Sequence, residues 1–276
     1  MKITRTVQSL RQVLDGRPAG TSVGFVPTMG ALHDGHVALV RAARASCGLV
    51  VVSVFVNPKQ FNDSGDLARY PRQESRDTEI ADDAGADVLF LPDAAEVYPE
   101  DHATTIHVRG PAVGFEGEHR PGHFDGVALV CLELFEMVEP DVVFLGQKDA
   151  QQVAVLRQLV RDLNVRVDLR VVPTVRDLNG LALSSRNARL SIEERSRAVA
   201  IPLALVAGVT AHRAGQDPVA AARAALRGLA VDYVGVATFD GRPTLVIAAR
   251  AGATRLIDNV PLDQPELAGL EVPHGL

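Results

Sequence analysis

Val23-Gly-Phe-Val-Pro27-Thr-Met-Gly-Ala-Leu-His33-Asp-Gly-His36 begins as an apolar run and ends on two histidines three residues apart. The run reads as a buried strand, because it is apolar without the alternation that one wet face would impose. Val37–Ser46 follows with helical spacing of Val, Leu and Ala, and Val50–Phe55 is a second apolar run, interrupted only by Ser53. Strand, helix and strand in that order dictate a parallel pair joined by a right-handed crossover. The same grammar continues outward. Val88–Leu91, Val142–Leu145 and Val167–Val172 read as strands, with helical spacing in Glu74–Ala84, Val127–Val138 and Gln151–Leu163. Thr104–Val108 alternates and reads as a small edge strand. The expected fold is α/β: a Rossmann-like, mostly parallel sheet whose ligands bind beyond the carboxyl ends of its strands.

The character of the chain changes after Pro173. Ser191-Ile-Glu-Glu194 is a capping-box start for a helix running to about Arg213. Asp217-Pro218 pairs an N-cap with a proline at the first helical position and opens a second helix to about Leu229. Val231–Thr238, Thr244–Ala249 and Arg255–Asp258 then read as short alternating strands. Two helices and three strands make a smaller α+β domain, and the sequence divides into domains at 1–175 and 176–276.

The 276 residues carry a formal charge of −6, with 47% hydrophobic and 22% charged residues. That balance belongs to a globular protein and disfavours a nucleic-acid surface, tRNA included. No apolar run reaches the length of a membrane span and the N-terminus lacks a signal-peptide core, so a soluble cytoplasmic protein is expected. Cys47 and Cys131, each in a pattern that reads as buried helix, have neither metal-ligand spacing nor the number for a disulfide framework. No dinucleotide glycine fingerprint and no G-x-x-x-x-G-K-[ST] loop occurs, which counts against NAD enzymes and P-loop NTPases.

The chemistry gathers where strands end. A helix start offers unpaired N–H groups and the positive end of the dipole, and imidazoles at i and i+3 share a face. His33 and His36 therefore suit a nucleoside triphosphate whose charge must be held while a P–O bond breaks. Asn57-Pro-Lys59-Gln60 leaves the second strand; the proline stops the ladder and should expose Asn57 and Gln60, whose carboxamides match a ligand bearing hydroxyl and carboxylate. Gly146-Gln147-Lys148-Asp149 places an ammonium at a helix start, with Gln152 one turn further on. Val175 leaves another strand and can offer backbone groups to a base. Leu183-Ser184-Ser185-Arg186 joins the domains with two hydroxyls and a guanidinium able to wrap phosphate oxygens. A polar loop, a capped turn, a surface lysine and an ordinary linker would each explain one segment. Their shared position at strand ends and the domain junction points to one site.

With Phe55-Val-Asn-Pro-Lys-Gln-Phe61, Tyr70-Pro-Arg72, Arg120-Pro-Gly-His-Phe124, Gly146-Gln-Lys-Asp-Ala-Gln-Gln152 and Leu183-Ser-Ser-Arg-Asn187 added to the His-x-Gly-His stretch, the chain resembles the pantoate–β-alanine ligase family over nearly its whole length. The His-x-Gly-His element is shared with a wider nucleotidyltransferase superfamily. The resemblance implies ATP-dependent ligation of pantoate and β-alanine through a pantoyl adenylate, with Mg²⁺ on the nucleotide and no metal site of the protein's own. It implies ATP binding by Met29, Gly30, Ala31, Leu32, His33, Asp34, Gly35 and His36, by Gly146, Gln147, Lys148 and Asp149, and by Val175, Leu183, Ser184, Ser185 and Arg186. His36 matches the position of a proton donor, while His33, Lys148 and Arg186 complete the expected catalytic set. Gln60 matches a contact to pantoate and β-alanine, Gln152 one to pantoate, and Asn57 is grouped with them. A homodimer is implied, and the small domain is expected to act as a lid. Lys59, Gln147 and Asp125 depart from the family pattern at positions away from catalysis. A nucleotidyltransferase with another acceptor would lack the paired Gln60 and Gln152. A non-catalytic nucleotide-binding module would lose one or more of His36, Lys148 and Arg186, and all three are present.

Overall fold

The computed structural model describes residues 1–263; residues 264–276, the end of the span assigned to the second domain, lie outside the described residues. Two compact units are present. One comprises Met1–Leu145 and Gln151–Val172, the other Gly146–Ala150 and the chain from Pro173.

The first unit is built on six strands: β1 (Lys2–Thr4), β2 (Val23–Thr28), β3 (Leu49–Val54), β4 (Val88–Phe90), β5 (Val142–Gly146) and β6 (Asp168–Val172). Their order is β1-β4-β3-β2-β5-β6. β1–β4, β4–β3, β3–β2 and β2–β5 all pair in parallel, with Val23 opposite Leu49 and Gly24 opposite Val142. The apolar runs have a simple cause: neighbours on a strand feed opposite cores. Phe25, Val51, Phe90 and Val143 pack with the helices Val7–Asp15 and His123–Val138. Val26, Val52, Leu89 and Phe144 pack with Asp34–Ser46 and Glu74–Ala84. Both faces are dry, so no polar alternation is needed. Successive strands run outward from β2 to β3 and β4, then resume on its other side with β5. That reversal is a topological switch point, where ligands of open α/β sheets bind, and the histidine stretch leaves β2 there.

Two local expectations change. Thr104–Val108 joins no sheet. Ile106 and Val108 do turn inward against the core, but the Val108 N–H donates to Asp125 Oδ1 at 3.0 Å instead of to a neighbouring strand. Conversely, Lys2–Thr4 pairs with β4 although its short polar sequence gives no periodic signal.

The second unit holds a meander of β7 (Ala230–Phe239), β8 (Arg242–Ala251) and β9 (Thr254–Pro261), antiparallel throughout. Leu245, Ile247, Leu256 and Val260 form its core with Ile201, Leu205 and Val209. Ser191 and Glu194 make the expected capping box, and Asp217 caps the helix Pro218–Ala225. The helix expected to run unbroken to Arg213 is two helices, Ile192–Ala198 and Ala200–Arg213. Pro202 is the cause, because it has no N–H to give the Ala198 carbonyl and its ring crowds that oxygen. The next helix ends at Ala225, short of Leu229. No helix among the described residues is long and apolar enough to cross a membrane.

Candidate active site

The loop leaving β2 is shaped by what its backbone donors find. Gly30 and Ala31 both adopt positive φ, at 82° and 51°. A Cβ on Gly30 would lie 2.8 Å from both Asp77 Oδ2 and Val54 Cγ1, so glycine is required by conformation and by space. The Gly30 N–H donates to Thr28 Oγ1 at 3.1 Å. The Ala31 and Leu32 N–H groups donate to the two carboxylate oxygens of Asp77, at 2.9 and 2.7 Å.

Asp77 is 1% exposed and occupies the buried stripe of its helix with Ala81 and Ala84. Burial pushes its carboxyl up from the ordinary range, while the Leu32 and Ala31 donors and Arg76 pull it partly back. Sequence reading misses this residue. Its one signal is a carboxylate at i relative to apolar i+4 and i+7, where a core face should continue.

His33 caps the helix Asp34–Ser46. Its Nδ1 accepts from the Gly35 N–H at 3.1 Å, while the His33 N–H donates to His36 Nδ1 at 3.2 Å. The two rings form a reciprocal capping box, with centroids 4.1 Å apart and planes at 41°. The Gly30, Ala31, Leu32, His33 and Gly35 N–H groups are thus satisfied within the protein. What this stretch presents outward is chiefly side-chain chemistry. An Nδ1 that accepts carries no proton, so each neutral ring holds its proton on Nε2 and offers a donor there.

Asn57 and Gln60, expected to be exposed, are buried at 1% and 7%. Pro58–Gln60 coils into a 3₁₀ turn capped by Asn57 Oδ1, which accepts from the Lys59 N–H. The turn seats against the Gly126 backbone, where a Cβ would lie 2.3 Å from the Lys59 carbonyl oxygen. Asn57 Oδ1 also accepts from the Tyr98 hydroxyl, and its Nδ2 donates to Gln60 Oε1 at 2.9 Å and the Gly126 carbonyl at 3.0 Å. Its hydrogen-bonding capacity is filled within the protein. Gln60 Oε1 is thereby occupied and its Nε2 lies 3.0 Å from Met29 Sδ, a weak acceptor that a hydroxyl or carboxylate would better. Arg120 and His123 hold the Gln60 carbonyl at 3.2 and 2.9 Å. Of the neighbouring glutamines, Gln151 bonds the Glu116 N–H and the carbonyls of Pro111 and Gly114, while Gln152 is half-buried. Lys59 reaches His102 and the Tyr98 ring, and Asp125 binds His107 and Val108, so both departures from the family pattern have structural partners.

The second unit carries the other expected segments. Gln147–Asp149 is a single 3₁₀ turn, and Lys148, its side chain 18% exposed, reaches Asp149 Oδ1 at 3.3 Å. The Val175 carbonyl accepts from the Leu183 N–H at 2.9 Å, and Arg176 bridges Ala182, so two of the segments form one small ladder. Ser184 Oγ accepts from the Arg186 N–H at 3.3 Å and caps the turn Ser185–Arg189. Arg176 forks onto Asp258 at 2.6 and 3.0 Å with both side chains buried.

Fold and donors together define an α/β nucleotide-binding enzyme of the His-x-Gly-His kind. The sequence profile of the pantoate-beta-alanine ligase family matches residues 2–261, and the chain belongs to that family. It is an AMP-forming ligase that makes a carbon–nitrogen bond between pantoate and β-alanine. It is 48% identical to the pantothenate synthetase of Cereibacter sphaeroides (strain ATCC 17029 / ATH 2.4.9), over 94% of this chain and 99% of that one. It is also similar to the crystal structure of pantothenate synthetase from Thermus thermophilus, with a TM-score of 0.89, 42% identity, and coverage of 95% and 99%. A further similar structure is the Francisella tularensis pantoate-beta-alanine ligase, complexed with beta-gamma ATP and beta-alanine. There the TM-score is 0.81, the identity 32% and the coverage 96% and 98%.

The fixed loop gives a test of Asp77. Asp77→Asn keeps the volume but leaves one oxygen for two N–H donors, so adenylate formation should fall while the fold persists. The stability sign follows from linkage. A carboxyl raised in the folded state weakens the fold above its raised pKa, and that penalty fades as pH falls toward the ordinary carboxylate range. The unfolding free energy of the wild type relative to Asp77→Asn should therefore improve between neutral pH and about pH 4. A difference that stayed flat in urea titrations would place no raised carboxyl at this position.

Proposed function

We propose that the ligation proceeds in two steps through pantoyl adenylate, with His33, His36, Lys148, Ser184, Ser185 and Arg186 stabilising charge. A carboxylate oxygen of pantoate attacks the α-phosphorus of ATP, the bond to the bridging oxygen breaks, and pyrophosphate leaves with the electron pair. The amine of β-alanine then attacks the acyl carbon, AMP leaves, and the nitrogen sheds a proton. A carboxylate is a weak nucleophile toward a polyanion, so the protein's work is positioning and neutralisation, with no covalent nucleophile required.

One observation carries this reading: both imidazole Nδ1 atoms are committed to backbone N–H groups. The rings are held as Nε2–H donors, and full protonation of His36 would cost its bond to the His33 N–H. His36 then aids the departing pyrophosphate as a neutral hydrogen-bond donor. Gln60, with Oε1 occupied by Asn57, offers Nε2–H to pantoate, and Gln152 supplies a second carboxamide. The remaining residues of the three segments, Met29–His36, Gly146–Asp149 and Leu183–Arg186 with Val175, shape the nucleotide contacts.

Mg²⁺ enters in this scheme as part of the nucleotide substrate, held by phosphate oxygens and lowering their charge. The six stabilising side chains are donors and not carboxylates, which fits an ion carried by ATP. Among the described residues no group of three or more His, Cys, Asp or Glu could enclose a cation. A cytoplasmic homodimer completes the proposal; the free, buried thiols of Cys47 and Cys131 support a reducing compartment.

The order of the steps is tested by pyrophosphate release in single turnover. Release should require pantoate and proceed without β-alanine. Release only when both acceptors are present would replace the stepwise route with a concerted one.

A further inference from the structure

Asn259 lies in β9, opposite Val246 of β8, and is 5% exposed. A buried carboxamide must place two donors and an acceptor, and this one spends all of them on one target. Its Nδ2 donates to the Gln147 carbonyl at 3.0 Å and the Lys148 carbonyl at 2.8 Å. Its Oδ1 accepts from Gln147 Nε2 at 3.2 Å. The backbone N–H of Asn259 is itself held by Asp258 Oδ1 at 2.8 Å, the carboxylate that receives the Arg176 fork.

The target has little to hold it locally. Gln147–Asp149 is one 3₁₀ turn with no side-chain cap, and such turns have poor hydrogen-bond geometry of their own. Its residues group with the second unit, although β5 precedes them and the helix Ala150–Asp162 follows them in the chain. Two hydrogen bonds from a single buried side chain therefore hold the Gln147 and Lys148 carbonyls, and a third takes up the Gln147 side chain. The lysine stem adds four rotatable bonds beyond that anchor, so a loose anchor leaves the ammonium spread over many positions.

We propose that Asn259 is a positioning residue for adenylate formation, fixing the Gln147–Lys148 backbone so that the Lys148 ammonium is delivered to the triphosphate. This rests on the assignment of Lys148 as a phosphate-neutralising residue, and the test separates the two. Asn259→Ala, Lys148→Ala and the double variant of the full chain are compared by pantoate-dependent ATP–pyrophosphate exchange, with KM measured for ATP and pantoate. Asn259→Ala should lower exchange by about 10²-fold, the size expected when a reacting group is displaced by an ångström or so. Its KM for ATP should rise while its KM for pantoate stays put, a split that general loosening of the fold would not produce. The double variant should match Lys148→Ala alone, because a positioning residue has nothing left to position.

Multiplying effects in the double variant, or an Asn259→Ala enzyme with unchanged KM for ATP beside an inactive Lys148→Ala, would overturn the inference alone. An active Lys148→Ala would overturn the assignment of Lys148 and the inference with it. Asn259→Ser, which keeps one hydroxyl in the same space, is measured by the same criteria if the alanine variant does not fold.

Discussion

His36→Ala should slow pantoate-dependent ATP–pyrophosphate exchange by about 10²–10³-fold, the loss that follows removal of one preorganised donor worth about 3–4 kcal/mol. The structure and the proposed reaction give this side chain two jobs on two atoms. Nδ1 accepts from the His33 N–H and helps to start the helix, and Nε2–H is the donor assigned to the nucleotide. Alanine removes both, and the lost cap costs about 1 kcal/mol of stability besides. Two further substitutions separate the jobs. Asn places an oxygen near the Nδ1 position, so His36→Asn should recover the stability and not the rate. Gln reaches the Nε2 position with an amide N–H, so His36→Gln should recover part of the rate. Partial rescue by Gln is what a neutral hydrogen-bond donor predicts. A Gln variant as slow as Ala, together with loss of an alkaline-side pH limb shown by the wild type, would make His36 a general acid. Full rate in His36→Asn would leave this histidine a helix cap and nothing more.

The sequence shows the first unit's sheet because both faces are dry. Phe25 and Val26 serve opposite cores, so a strand appears as an uninterrupted apolar run, and the helix periodicity between strands completes the pattern. The histidine stretch is legible for the same reason, since it follows the end of such a run. Short or exposed elements leave weaker marks. Lys2–Thr4 is three residues at a sheet edge, and Thr104–Val108 alternates in burial without joining a ladder. Pro202 lay in plain view, yet a capping box and an apolar stripe outweigh it until the break at Val199 is seen.

Polar support is the least legible part. Asp77 looks like one more helix-surface acid until its oxygens are found on Ala31 and Leu32. Asn57 reads as a ligand contact, whereas its geometry turns it into the anchor of Gln60. Asn259 meets Lys148 across 111 residues of sequence, a pairing that no local pattern encodes. Residue types announce chemistry; the bonds that aim them are tertiary.

Arg186→Lys should be harmful although it conserves charge. The backbone around Arg186 is held from several sides. Ser184 Oγ accepts from the Arg186 N–H, and the Asn187 N–H donates to the Ser184 carbonyl at 2.9 Å. Asn187, 5% exposed, donates from Nδ2 to the Ala182 carbonyl at 3.0 Å. Arg195 then grips the Asn187 carbonyl and Asp177 Oδ2. The turn so fixed carries the half-buried side chain of Arg186, whose planar guanidinium can set two parallel N–H groups against phosphate oxygens. An ammonium is a point charge on a flexible stem and cannot reproduce that fork. Losing one charged hydrogen bond of about 1.5–3 kcal/mol corresponds to roughly 10- to 10²-fold. Titration calorimetry with a non-hydrolysable ATP analogue should show that loss in affinity, with turnover falling at least as far. Binding and turnover both at wild-type level in Arg186→Lys would reduce Leu183–Arg186 to a connecting loop. Weakened binding with normal turnover at saturating ATP would instead confine the guanidinium to ground-state binding, with no share in the transition state.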